Sequence, residues 1–196
     1  FAANPYALCP PFLPDLPNLP ALAPNTPAQA QANQGRYDGK LATLEGEAQL
    51  QYNDQRMLAE RIDYTLNPER IEARGDLRYW DDTRILFAER GVFQPELEQG
   101  EADNVRFWLP AQHFSGTSTK VTRLNAQQDQ LVEVSLSSCP EPAPGEVRDW
   151  TLNAGKVELN HSTGRGVARD ARLDFKGVPI MIAPYFDFPL DDRRAS

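Results

Sequence analysis

Two histidines and two cysteines among 196 residues leave little material for a metal centre or a nucleophilic relay. Neither Cys9 nor Cys139 has a histidine or another cysteine at metal-ligand spacing. Basic residues are also in the minority, 20 against 28 acidic ones, for a net charge of -8 and a pI of about 4.8. That sign excludes a nucleic-acid partner, whose phosphates demand a basic footprint. No apolar run approaches the roughly 20 residues of a membrane helix. The N-terminus lacks a basic stretch followed by an apolar core, so no signal peptide is in hand; a mature secreted chain looks the same after cleavage.

Catalytic patterns are missing as well. The serines include no Gly-x-Ser-x-Gly elbow, and Gly164-x-Gly166 is too short for a phosphate cradle. The pairs Asp81-Asp82 and Asp191-Asp192 are adjacent, which on a strand sends them to opposite faces, and turn chemistry accounts for the first. His161 alternates in register with Val157 and Leu159, with no carboxylate or cysteine partner by spacing; it and His113 read as surface or rim residues. The expectation is no catalytic residue, no metal and no cofactor. Two cysteines in segments without a core to hide in suit an oxidising compartment.

What is present begins with an arm. Eight of the 17 prolines fall in residues 1–34, where Asp15 is the only charge. Proline at this density removes backbone donors and fixes φ, excluding helix and interior strand. The favoured reading of 1–35 is a disordered or extended linker; the other is an arm that positions Cys9 for pairing.

From Gly35 onward charge and alternation appear together. Ala48, Leu50 and Tyr52 point one way while Glu47, Gln49 and Gln51 point the other, the period of a half-buried strand. Ile62 and Tyr64 continue the pattern, and Asn67-Pro68 makes a turn. Gly75-Asp-Leu-Arg-Tyr79 restates Gly46-Glu-Ala-Gln-Leu50, and Leu86-Phe-Ala-Glu-Arg90 restates Met57-Leu-Ala-Glu-Arg61, both 29 residues on. A unit this short buries its apolar face only by stacking on neighbours. Val105, Phe107 and Leu109 share a face, as do Val132, Val134 and Leu136. About ten or more short strands with polar turns make the class all-β, with barrel, sandwich and jelly roll as candidates.

The apolar face is the remaining candidate site. Its aligned residues include Leu50, Tyr52, Ile62, Tyr64, Leu77, Tyr79, Ile85, Phe87, Phe107, Leu109, Val134, Leu136, Leu159 and Phe175. They form either the ordinary core of a structural assembly or adhesion module, or a trough open along one seam that takes acyl chains. Burial worth roughly 0.8 kcal/mol per methylene holds a lipid without a polar grip.

The strand repeats at 46–64 and 75–90 resemble the OstA-type repeats of lipopolysaccharide-transport proteins. The closing segment is more specific: Ser137-Ser-Cys139-Pro, Asp149-Trp150, then Val178-Pro-Ile-Met-Ile-Ala-Pro184-Tyr185-Phe-Asp-Phe-Pro189-Leu-Asp-Asp-Arg193-Arg194. It is similar to the LptD family of lipopolysaccharide-assembly proteins where the periplasmic domain meets the outer-membrane barrel. The resemblance implies an open, twisted β-jelly roll of the OstA/LptA type over 36–196, with little or no helix. The arm precedes it, and the barrel is absent because the chain stops as it enters something else. It also implies a non-catalytic role at the periplasmic face of the outer membrane of a Gram-negative cell. Lipopolysaccharide arrives there from an LptA-type bridge protein by β-strand augmentation, its acyl chains riding between the sheets toward a barrel plugged by the lipoprotein LptE. Cys9 and Cys139 match the family's two periplasmic cysteines, which bond to a pair in the barrel; in this chain they are either free or bonded to each other.

Overall fold

In the computed structural model the described residues are 9, 12–20, 22–23, 26–141 and 145–190. The acidic and basic cluster at 191–194 lies outside them. Twelve strands follow one another: β1 (Gln29–Gln31), β2 (Gln34–Tyr37), β3 (Leu41–Tyr52), β4 (Gln55–Leu66), β5 (Glu69–Trp80), β6 (Ile85–Gln94), β7 (Gln99–Leu109), β8 (Phe114–Asn125), β9 (Gln128–Ser137), β10 (Trp150–Asn160), β11 (Arg165–Phe175) and β12 (Val178–Pro189). Single turns of 3-10 helix at Pro95–Leu97 and Pro110–Gln112 are the only helical pieces among the described residues.

All twelve strands belong to one antiparallel sheet in the order β1-β3-β4 through to β12, with β2 also on β3. Every neighbour in space from β3 onward is the neighbour in sequence, because turns of two to four residues return the chain directly everywhere except between β9 and β10, which residues 138–149 join. β1 and β12 do not meet, so the sheet is open, with β1 and β2 at one edge and β12 at the other.

A row of left-handed residues interrupts alternate strands at mid-length. Glu47 (φ 50°), Asp76 (φ 44°), Asn104 (φ 51°), Glu133 (φ 49°) and Asp170 (φ 53°) occupy β3, β5, β7, β9 and β11. In β3 and β5 a left-handed glycine, Gly46 or Gly75, precedes them, and the register slips there against the neighbouring strand. Such residues bend a strand and strengthen its twist. Repeated across the sheet they make a crease, and the halves on either side form the two layers of a jelly roll built from one continuous sheet. The 29-residue sequence repeat is this crease recurring.

The crease shifts the inward phase. Core residues step by three where it crosses: Ala59 to Ile62, Ala102 to Val105, Leu131 to Val134, Ala154 to Val157 and Ala168 to Ala171. Strict alternation therefore fails at Leu131–Leu136, where Val132 was expected inside beside Val134. Leu131 and Val134 are buried and Val132 is exposed, because Glu133 turns the backbone between them. Small residues line the crease, with Ala48 opposite Ala59, Ala102 opposite Gly91 and Ala171 opposite Ala183. Alanine and glycine there allow the layers to converge.

The proline-rich arm is not a free linker. Leu16 and Leu19 pack on a second cluster, Trp80, Ile85 and Trp108, on the outer face of the sheet. Leu22 donates its backbone N–H to Asn53 O at 3.0 Å. A disulfide joins Cys9 to Cys139 across 130 residues, with the Cα atoms 4.9 Å apart. Of the two states left open for the cysteines, they are bonded to each other.

Candidate functional site: an apolar trough with a half-covered rim

The inner face carries one continuous apolar surface from β3 to β12 whose burial is graded. At the crease the side chains are small and sealed: Ala48, Ile62, Ala73, Val105, Ala168 and Ala171 are each at most 1% exposed. Toward the strand ends they are larger and only half-buried, among them Leu44, Leu50, Met57, Ile71, Leu86, Leu109, Leu136, Leu152, Leu159 and Phe188. A closed core shows the opposite trend, since large aliphatics are its most buried members. The inner surface is thus a wedge, tight at the bend and wetted along the rim.

Eight of the fourteen aligned residues share this surface: Leu50, Ile62, Leu77, Phe107, Leu109, Val134, Leu136 and Leu159. Six do not join it. Ile85 and Phe87 lie on the outer face beside Trp108, with the Phe87 and Trp108 rings 5.0 Å apart. Large residues stand at 85, 86 and 87 in succession, so alternation could not say which of them faces in; Leu86 does. Tyr52 is 52% exposed and Phe175 45% exposed. At Tyr52 it is Gln51 that is buried, contrary to the alternation expected from Ala48 and Leu50. Tyr64 donates its hydroxyl to Glu69 Oε1 at 2.8 Å, and Tyr79 donates to Asp81 Oδ2 at 2.9 Å. Burial and the Asp81 carboxylate push the Tyr79 phenol well above its ordinary range, so it stays a neutral donor. Sequence reasoning missed Leu44, Met57, Ile71, Leu86, Leu131 and Phe188; of these, Leu131 is explained by the three-residue step to Val134 across the left-handed Glu133.

A polar group closes part of one rim. Arg123 Nε donates to Asp129 Oδ1 at 2.9 Å, and His161 Nε2 lies 2.8 Å from Asp129 Oδ2. The carboxylate partner of His161 therefore comes from a strand 32 residues away, which spacing along the chain did not reveal. Burial would raise the Asp129 carboxyl, but the bonds from Arg123 and His161 outweigh it and hold it below its usual range.

The charges on the outer face are largely matched. Arg61 bridges Glu45 and Asp63; Glu72 takes Arg70, Arg74 and Arg90; Arg90 continues to Glu101 and Asp103; Lys120 closes on Glu101. A shallow groove of about 590 Å³ runs over β9–β12, bordered by Glu133, Ser135, Asn153, Asp170, Arg172 and Ile182. Val134, Ala154 and Ala171 beneath it are 7% exposed or less, so it opens on the outer side and is no part of the trough. β12 leaves Val178, Ile180, Ile182 and Tyr185 more than half exposed on the free edge.

Among known proteins, no family model matches the chain. It is 30% identical over 172 residues to the "LPS-assembly protein LptD" of Methylococcus capsulatus, covering 87% of this chain and 16% of that protein. The protein of the same name from Alkalilimnicola ehrlichii is 30% identical over 200 residues, covering 99% of this chain and 26% of that protein. The one from Acinetobacter baumannii is 28% identical over 155 residues, covering 79% and 19%. The chain thus spans about a quarter or less of these curated relatives. The crystal structure of LptH, described as the LptA-homologous periplasmic component of the lipopolysaccharide transport device of Pseudomonas aeruginosa, superposes with a TM-score of 0.45 at 11% identity, over 50% of this chain and 76% of that one.

Proposed function

The chain belongs to the LptD family of LPS-assembly proteins, and from that premise we propose that it is a non-catalytic conduit for lipopolysaccharide at the periplasmic face of the outer membrane. Acyl chains lie along the inner trough while the sugar and phosphate groups remain in water beyond the rim. The observation that supports this is the graded inner surface: small residues sealed at the crease, large aliphatics left half-covered at the rim. Acyl methylenes covering that rim gain roughly 0.8 kcal/mol each. The lining set is Leu50, Met57, Leu86, Leu109, Leu136 and Leu159, with Ile62, Leu77, Phe107 and Val134 deeper in the wedge.

The trough needs a supplier and a receiver. The short, exposed strands β1 and β2 each cover only part of β3 and leave unpaired backbone groups beside it. Such an edge templates strand addition, so an LptA-type bridge protein docks there. Lipid leaves past β12 toward the remainder of a full-length relative, an outer-membrane barrel with its LptE lipoprotein.

Photo-crosslinking tests this reading. A photoreactive residue at Leu109, Leu136 or Leu159 should trap lipopolysaccharide, whereas one at Phe87, on the outer face, should not. Equal trapping at Phe87 and Leu136, or none at any inner position, refutes the trough and leaves a structural β-module.

A further inference from the structure

One ion pair faces into the otherwise apolar trough. Along the inner face, cross-strand pairing runs from Phe93 to Gly100, Arg123, Asp129 and Leu159. Arg123 and Asp129 thus occupy positions that their neighbours in the row fill with apolar side chains or glycine. Asp129 is 8% exposed, and the Arg123 side chain 27%. Two bonds join them, from Arg123 Nε to Oδ1 at 2.9 Å and from a terminal guanidinium nitrogen to Oδ2 at 3.3 Å, and His161 closes on the same carboxylate. Well-packed apolar residues serve a fold as well as a buried ion pair does, so stability gives no reason for charge at this place.

A second polar group faces it from the other layer. Tyr79 pairs in register with Met57 and Leu86, in the inner row beyond the crease, and its hydroxyl is bonded to Asp81. Asp81 is fixed in turn by the backbone N–H groups of Thr83 and Arg84, and its side chain is 10% exposed. Followed through the sheet, Tyr79 and Arg123 stand three strands and seven residues apart, about 27 Å. Yet the guanidinium feels both groups of the opposite layer. Arg123 is held above its ordinary range first by its bond to Asp129, against burial, and further by the charges of Asp129, Tyr79 and Asp81. Folding at the crease therefore brings the two rims together at this point.

We infer that Tyr79–Asp81 and Arg123–Asp129 are the two jaws of a polar gate across the mouth of the trough. The inference rests on the conduit reading. When acyl chains lie inside and sugars outside, the bonds that link them pass through the mouth, and the jaws stand in their path. Apolar contact holds the lipid, and the gate opens for each molecule that slides past it.

The test places spin labels on Asp82→Cys and Gln127→Cys, exposed turn positions just beyond the two jaws. Cys9 and Cys139 are bonded to each other, so the introduced thiols alone take the label. Double electron–electron resonance on the full chain should give one narrow distance. Arg123→Met should lengthen it by several ångström and broaden it, with the β-sheet circular dichroism unchanged. Asp81→Asn, whose amide oxygen still accepts from Thr83 and Arg84, should shift it the same way and serves if Arg123→Met does not fold. Added lipopolysaccharide should lengthen the distance when both jaws are intact. A distance unchanged in the variants overturns the gate. So does a distance unchanged by lipopolysaccharide that a photoreactive residue at Leu136 still traps, an outcome that leaves the conduit standing. Absence of trapping at Leu136 refutes the conduit itself, and the gate with it.

Discussion

At the level of single residues, the acidic character of the chain is deployed as partners for arginine. Glu72 is the densest case: Arg74 Nε and Arg90 Nε both reach its Oε1 at 2.9 Å, and Arg70 reaches Oε2 at 3.2 Å. Burial pushes this carboxyl up, and the three guanidinium groups pull it further down, from 4.5 to about 2. A folded value below the unfolded one means that the contribution to stability is complete above pH about 4.5 and is lost as pH falls toward 2. Glu72→Gln cannot titrate, so urea midpoints of the variant should decline less over that interval. At neutral pH the variant should be about 1 kcal/mol less stable, with three arginines left short of an anion. Parallel acid limbs in both proteins would remove Glu72 from this role. None of this was legible beforehand: Glu72 and Arg90 stand 18 positions apart, and only the register of β5 with β6 joins them.

Among the elements, the crease and the arm behave differently from what local pattern reading suggests. Alternation finds strands well, and the all-β class follows from it, whereas the open edges were implied only by the family resemblance. It cannot find a bulge, because a single left-handed residue leaves composition unchanged while reversing every side chain beyond it. Glu133 did this to Val132, whereas Val105, Phe107 and Leu109 all lie beyond Asn104 and kept their expected face. The arm was obscured for another reason. Proline density signals what a segment cannot be, and says nothing of the packing of Leu16 and Leu19 on Trp80, Ile85 and Trp108. The crease makes a prediction opposed to strand propensity. Asn104 is exposed in β7, where valine is normally favoured. At φ 51° a β-branched side chain is strained, so Asn104→Val should cost about 1–2 kcal/mol. That lowers the melting temperature by several degrees, at about 2–4 °C per kcal/mol for a chain of this size. An unchanged or raised melting temperature would mean that β7 is not bent there.

For the molecule as a whole, two surfaces of one sheet divide the work. The outer face is laced with ion pairs and strapped by the arm, while the inner face remains apolar and incompletely covered. The net charge of -8 opposes any scheme in which anionic phosphates are drawn in by the field of the domain. If acyl burial supplies the affinity, screening has little to act on. The Debye length shrinks from about 10 Å at 0.1 M salt to about 3 Å at 1 M, yet contact between methylenes and leucine at the rim is unaffected by it. Lipopolysaccharide binding to the isolated chain should therefore change by less than about threefold across that range, and a modest tightening is expected as phosphate–carboxylate repulsion is screened. Substituting aspartate at Leu136 should abolish binding at both ends of the range, with the sheet intact by circular dichroism. A steep fall of affinity with salt would transfer the binding to the few arginines near the rim, such as Arg123, and would make the apolar gradient a consequence of folding alone.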